Sequence, residues 1–171
     1  MAAIVHIGEP APDFTLRDLN GVPTRLSDQR GQIILLYFWS AECPWVERGD
    51  REMGSFTETW GKAVKILRIA PNRHETPQML RETATKRGLA LPLLDSDQRV
   101  ADLYGAQTTP HLFLIDQQGV LRYQGAVDDV TFRQRTPTRN YAQEAIAALL
   151  DGRQPDPEQT PPYGCSIVRD I

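Results

Sequence analysis

Ile33-Ile34-Leu35-Leu36-Tyr37-Phe38-Trp39-Ser40-Ala41-Glu42-Cys43-Pro44-Trp45-Val46 is the stretch on which the fold turns. The apolar run 33–39 shows no alternation and is far short of the ~20 residues a membrane helix needs. A short continuous run of this kind reads as a strand buried on both faces, at the centre of a parallel sheet. A helix then begins at Pro44, whose missing N–H falls where it would be unpaired anyway. Cys43 is therefore placed just past the carboxyl end of a strand and at the first turn of a helix. Open α/β sheets bind ligands at such crevices. A helix N-terminus also favours the thiolate, the nucleophilic form of cysteine. The other reading of Cys43 is a small buried apolar residue without chemistry.

Outward from this stretch, Asn20-Gly21 between apolar segments predicts an N-terminal β-hairpin near 14–26. Met53, Phe56 and Trp60 recur at helical spacing, so one helix is expected from Pro44 to a stop at Gly61. A strand at 63–70 and a helix at 76–87 follow, the latter capped by Gly88. A short strand at 91–94 and a short helix at 97–104 come next. Segments 111–116 and 120–124 form an antiparallel hairpin around Gly119, and 142–150 is the last helix. From Arg153 the chain holds Pro155, Pro157, Pro161 and Pro162, which predicts an extended, irregular tail. Strands alternating with helices imply an α/β fold, a mixed central sheet with helices on both faces and right-handed crossovers. The expected organisation is one domain over 1–152 and a Pro-rich tail over 153–171.

A length of 171 residues suits one domain with a decorated tail, and needs neither disulfide nor metal to fold. Hydrophobic residues at 40% and charged residues at 24% exclude collagen-like, disulfide-framework and disordered classes. A net charge of −3 argues against nucleic acid as a partner, and no membrane partner is expected. Residues 1–10 lack the basic and apolar regions of a secretory signal, so a cytoplasmic location is expected. Cys43 and Cys165 are too few for a disulfide scaffold. In a reducing compartment a cysteine in the right setting is chemical.

Thr108-Thr109-Pro110 precedes the strand His111-Leu112-Phe113-Leu114-Ile115-Asp116. X-Pro is the one bond that is cheaply cis. A cis bond would turn the Thr109 backbone toward the end of the sheet; a trans bond would make a plain turn. Together, Phe38-Trp39, Cys43-Pro44, Thr109-Pro110 and Phe113-Leu114-Ile115-Asp116 resemble the thioredoxin fold. Gly8-Glu9-Pro10-Ala11-Pro12-Asp13-Phe14-Thr15-Leu16 resembles the entry of the redoxin branch, the alkyl hydroperoxide reductase and thiol-specific antioxidant type. Cys43-Pro44-Trp45-Val46, Asp128-Asp129 and Gly164-Cys165-Ser166-Ile167 are similar to one redoxin subgroup. The resemblance spans residues 8–169.

The resemblance implies a thioredoxin-like fold with cis-Pro110 facing Cys43, and thiol–disulfide or peroxide chemistry at Cys43. It implies a small-molecule peroxide or protein disulfide as substrate, a thiol electron donor of the thioredoxin or glutathione type, and no cofactor. Thr109, Pro110, Pro44 and Trp45 are the expected positioning residues. The departures are specific. Val46 stands where a dithiol site has its second cysteine. Tyr37 replaces the acid that thioredoxins bury six residues before the first cysteine. Of the peroxiredoxin Pro-x-x-x-Thr-x-x-Cys pattern, Ser40 stands for the threonine but Leu36 for the proline. Pro110 holds the place of the peroxiredoxin arginine. Cys165 is then the candidate resolving thiol, and the alternative is an inert tail cysteine. Closing so long a loop is worth ~5 kcal/mol of chain entropy.

His111, next to Pro110, is a candidate acid or base for Cys43 unless strand alternation points it elsewhere. Glu42, Glu47 and Arg48 bracket Cys43 with opposing effects on its thiol. No metal site is expected, because Cys43, His111 and Cys165 lack ligand spacing. Arg133, Arg135 and Arg139 read as a solvated loop or as a site for an anionic thiol. Two function classes remain open: an oxidoreductase with Cys43 as nucleophile, or a non-catalytic redox sensor or binding module on the same fold.

Overall fold

The computed structural model describes residues 5–169; positions 1–4 and 170–171, the outer ends of the two expected segments, lie outside the described residues. The chain opens with β1 (Thr15–Asp18) and β2 (Pro23–Arg25), then β3 (Ile33–Phe38), α1 (Pro44–Gly54), α2 (Thr57–Trp60) and β4 (Val64–Ala70). It continues with α3 (Pro77–Lys86), β5 (Leu93–Leu94), α4 (Arg99–Tyr104), β6 (Thr108–Thr109) and β7 (His111–Ile115). β8 (Leu121–Gly125), α5 (Tyr141–Leu150) and β9 (Cys165–Ser166) complete it.

Seven strands form one mixed sheet in the order β2-β1-β5-β4-β3-β7-β8. β3 runs parallel to β4 and antiparallel to β7, so it lies inside the sheet, as its unbroken apolar run requires. Every residue of β3 is buried. Side chains alternate across the sheet. Ile33, Leu35 and Tyr37 enter one core with α1 and α5; Ile34, Leu36 and Phe38 enter another with α4. Among the described residues, no helix is long and apolar enough to cross a membrane.

Two expectations need correction. The single helix from Pro44 to Gly61 is broken after Gly54. Glycine is a poor helix former, and the Ser55 hydroxyl donates back to the Glu52 carbonyl at 2.7 Å, ending the first segment locally. The tail is not wholly irregular: β9 pairs antiparallel with β6, Thr109 opposite Cys165 and Thr108 opposite Ser166. Two-residue strands leave no periodicity to read.

A buried ionic cluster ties α1 to the sheet. Asp50 of α1 accepts from Trp39 Nε1 at 2.9 Å, Arg68 Nε at 3.1 Å and Arg87 Nη1 at 3.0 Å. The two guanidiniums also lie over the Tyr37 and Trp39 rings, 5.7 Å from each centroid. Truncating the buried Asp50 leaves two half-buried cations without their anion, which costs about 3 kcal/mol. Asp50→Ala is therefore expected to lower the melting temperature by roughly 10 °C, read by thermal denaturation.

Candidate active site

Cys43 is the N-cap of α1, with Pro44 as the first helical residue. Its carbonyl accepts from the Val46 and Glu47 amides, each at 3.1 Å. The side chain is 3% exposed and forms a disulfide with Cys165 across 122 positions, with a Cα–Cα distance of 6.2 Å. Cys165 is half-buried. The Thr109–Pro110 bond is cis. The Thr109 carbonyl oxygen lies 3.2 Å from Cys43 Sγ, where a reduced thiol would donate to it. Trp45 packs edge-on against Tyr163 of the tail, centroids 4.8 Å apart. Cys43, Pro44, Trp45, Thr109, Pro110 and Cys165 thus share one corner of the molecule.

The loop that presents Cys43 is clamped from beneath by Glu75, a residue nothing in the sequence pattern singled out. Glu75 is 4% exposed. Its Oε1 accepts from Ser40 Oγ at 3.0 Å, from the Glu42 amide at 3.1 Å and from the Ala41 amide. Arg87 Nη2 donates to the Ala41 carbonyl at 3.2 Å, so the ionic cluster grips the same loop. The serine aligned with the peroxidase threonine therefore directs its hydroxyl to Glu75. Partners more than thirty residues away in the chain carry no local signal, so Glu75 is visible only in three dimensions.

Tyr37, in the place of the buried acid, is fully covered, and its hydroxyl donates to the Val46 carbonyl at 3.3 Å. Burial, reinforced by the Asp50 charge, pushes its pKa well above the ordinary value, so it stays a neutral phenol. The charges flanking Cys43 are engaged elsewhere: Glu42 with His74 at 3.0 Å, Glu47 with Arg51 at 3.4 Å, and Arg48 with Asp128 through a contact of 2.5 Å. Arg139 pairs with Glu144 at 2.6 Å and Arg133 lies over the Phe132 ring. Among the described residues, no group of three or more His, Cys, Asp or Glu side chains could hold a metal ion.

His111 does not meet Cys43. It stacks on Phe113, with centroids 4.5 Å apart, on the face of the sheet opposite the core that contains Cys43. Its Nδ1 accepts from the Gln107 amide at 3.1 Å. The expected acid or base is a structural histidine, turned to the second core by strand alternation.

A match to the AhpC/TSA family covers residues 7–124. The chain belongs to this family. It is 35% identical over 120 residues to the thiol-disulfide oxidoreductase ResA of Geobacillus thermodenitrificans, covering 69% of this chain and 68% of that one. It is 31% identical over 128 residues to a provisionally assigned peroxiredoxin of Mycobacterium tuberculosis, covering 71% and 78%. The crystal structure of an uncharacterized conserved protein from Geobacillus kaustophilus matches 96% of this chain and 93% of that one, with a TM-score of 0.87 and 28% identity. This AhpC/TSA member thus has the thioredoxin-like fold that the Cys43 and Pro110 segments suggested, with a second cysteine supplied by its tail.

Burial of His111 pushes its pKa down to about 4. In the unfolded chain it titrates near its ordinary value, about 6.5. Between those limits the unfolded chain binds a proton that the folded chain does not, so stability falls as pH drops through this window. The loss amounts to about 3 kcal/mol at the acid end. Urea denaturation at pH 7 and pH 4 is expected to show this component in the wild type and not in His111→Gln.

Proposed function

We propose that this chain is a thiol-disulfide oxidoreductase whose working pair is Cys43 and Cys165. The observation that carries the reading is their disulfide, set at a helix N-terminus beside cis-Pro110. The substrate is a protein or small-molecule disulfide, and the donor is a thiol of the thioredoxin or glutathione type. In the reductive half, the Cys43 thiolate attacks one sulfur of the substrate disulfide and releases the other as a thiolate, which takes up a proton. Cys165, deprotonated, attacks the Cys43 sulfur, forms the intramolecular disulfide and releases the second substrate thiolate. Two donor thiols return the pair to its reduced form and leave as their own disulfide.

The helix N-terminus favours the Cys43 thiolate. Tyr37, held in its neutral form by burial, is not the group that takes the proton. Disulfide chemistry is favoured over peroxide chemistry by three positions. Leu36 and Pro110 stand where peroxidases have proline and arginine, and the Ser40 hydroxyl donates to Glu75. The relative named as a thiol-disulfide oxidoreductase supports the same choice.

Cys43→Ser is expected to abolish exchange with a model disulfide substrate. Cys165→Ser is expected to keep the first step and accumulate a mixed disulfide on Cys43, read by mass spectrometry, while losing at least tenfold in turnover. Exchange surviving in Cys43→Ser would overturn the assignment. A wild-type disulfide that forms but never turns over with a dithiol donor would establish the sensor instead.

A further inference from the structure

The tail reaches the site between two anchors. Upstream, Thr160 Oγ1 accepts from the Ala126 amide at 3.0 Å and its own amide donates to the Gln124 carbonyl at 3.0 Å. Downstream, the Ile167 amide donates to the Gln107 carbonyl at 3.0 Å and the Val168 amide to Asn72 Oδ1 at 3.0 Å. Between them, β9 lies along β6 and brings Cys165 opposite Thr109.

Gly164, immediately before Cys165, lies where no side chain fits. A Cβ there would overlap the Thr109 carbonyl oxygen and stand 2.8 Å from both the Thr109 carbonyl carbon and Pro110 Cδ. Non-bonded carbons prefer about 3.5–4.0 Å. The opposing atoms belong to backbone and a proline ring, so none can rotate aside. The glycine serves a close approach here, not a left-handed turn. One residue earlier, the Tyr163 ring rests on Trp45.

We propose that Gly164 is a specificity-determining residue of the redox site: it is the gate through which a cysteine strand reaches Cys43, with Tyr163 setting the register. The proposal rests on the exchange reading above and concerns its closing step. There the Cys165 thiolate bonds to the Cys43 sulfur of the mixed disulfide, and the substrate sulfur leaves with the electron pair and takes a proton from water. A cysteine approaching along β6 must follow a residue without a side chain. Cys165 meets that condition, and most external protein cysteines do not. A Cβ at 164 would also push on the Thr109 carbonyl, which faces Cys43.

The test equilibrates the full chain with reduced and oxidised dithiothreitol and counts the closed form by thiol alkylation and mass spectrometry. Gly164→Ala is expected to lower the equilibrium constant for the Cys43–Cys165 disulfide at least tenfold, with the melting temperature of the reduced protein unchanged. Closure equal to wild type overturns the gate. If the reduced variant is itself destabilised, the closing step decides. Each reduced chain is mixed with an activated aryl disulfide, which caps Cys43 and releases one aryl thiol. Conversion of that mixed disulfide to the Cys43–Cys165 disulfide, with loss of the second aryl thiol, is timed by acid quench and mass spectrometry. At least tenfold slower conversion in Gly164→Ala supports the gate; equal rates overturn it. A wild-type chain that closes no disulfide would refute the exchange reading itself, and the gate with it.

Discussion

The carboxylate of Asp50 is the tie on which the geometry of the site depends. It receives Trp39 from the end of β3, Arg68 from β4 and Arg87 from the end of α3. Arg87 then reaches past it to the Ala41 carbonyl. One buried anion therefore locks the helix that carries Cys43 to the strand that precedes it. A charged cluster in this position is costly to desolvate. It persists because each guanidinium is also covered by an aromatic face and the carboxylate has a donor on each side. Glu75 acts on the same loop from the other end. Position, more than flexibility, is what the surroundings of Cys43 supply.

Much of this was legible in the sequence. The 33–39 run announced a central strand because burial on both faces removes alternation. Pro44 announced the helix, and so the setting of Cys43. Thr109-Pro110 before an apolar strand was enough to locate the opposing segment, through its likeness to known redoxins. What stayed hidden depended on long-range partners. Glu75 was one of many acids until the fold brought it under residues 40–42. His111 was ambiguous because neighbouring strand positions face opposite cores, and only the register with Phe38 decides which. The break after Gly54 was masked by apolar spacing that continues through Phe56 and Trp60 although the backbone does not. β6 and β9 are too short for any pattern to report.

The second thiol shows how a dithiol site is rebuilt from distant parts. A local pair would take its second cysteine from the next helical turn, and Val46 occupies that place. This chain brings Cys165 from the far end, over the cis bond and against the Thr109 backbone. The cost of such an arrangement is loop closure over more than a hundred residues, which exceeds that of a local pair but grows only logarithmically with length. The benefit is independent placement: the helix can be tuned for Cys43 without constraining Cys165.

The anchors of the tail carry a consequence of another kind. None of the hydrogen bonds at Thr160, Ile167 or Val168 passes through the disulfide. Ile167 is buried in the second core. The two sulfurs are thus held as neighbours by the fold, at the high effective concentration that short tethering confers. Opening their bond therefore frees only the short stretch between the anchors, in which Gly164 and Cys165 lie. The rest of the tail is tied to the body by contacts that do not involve the sulfurs, so the pair can reopen and reclose without a long search for one another.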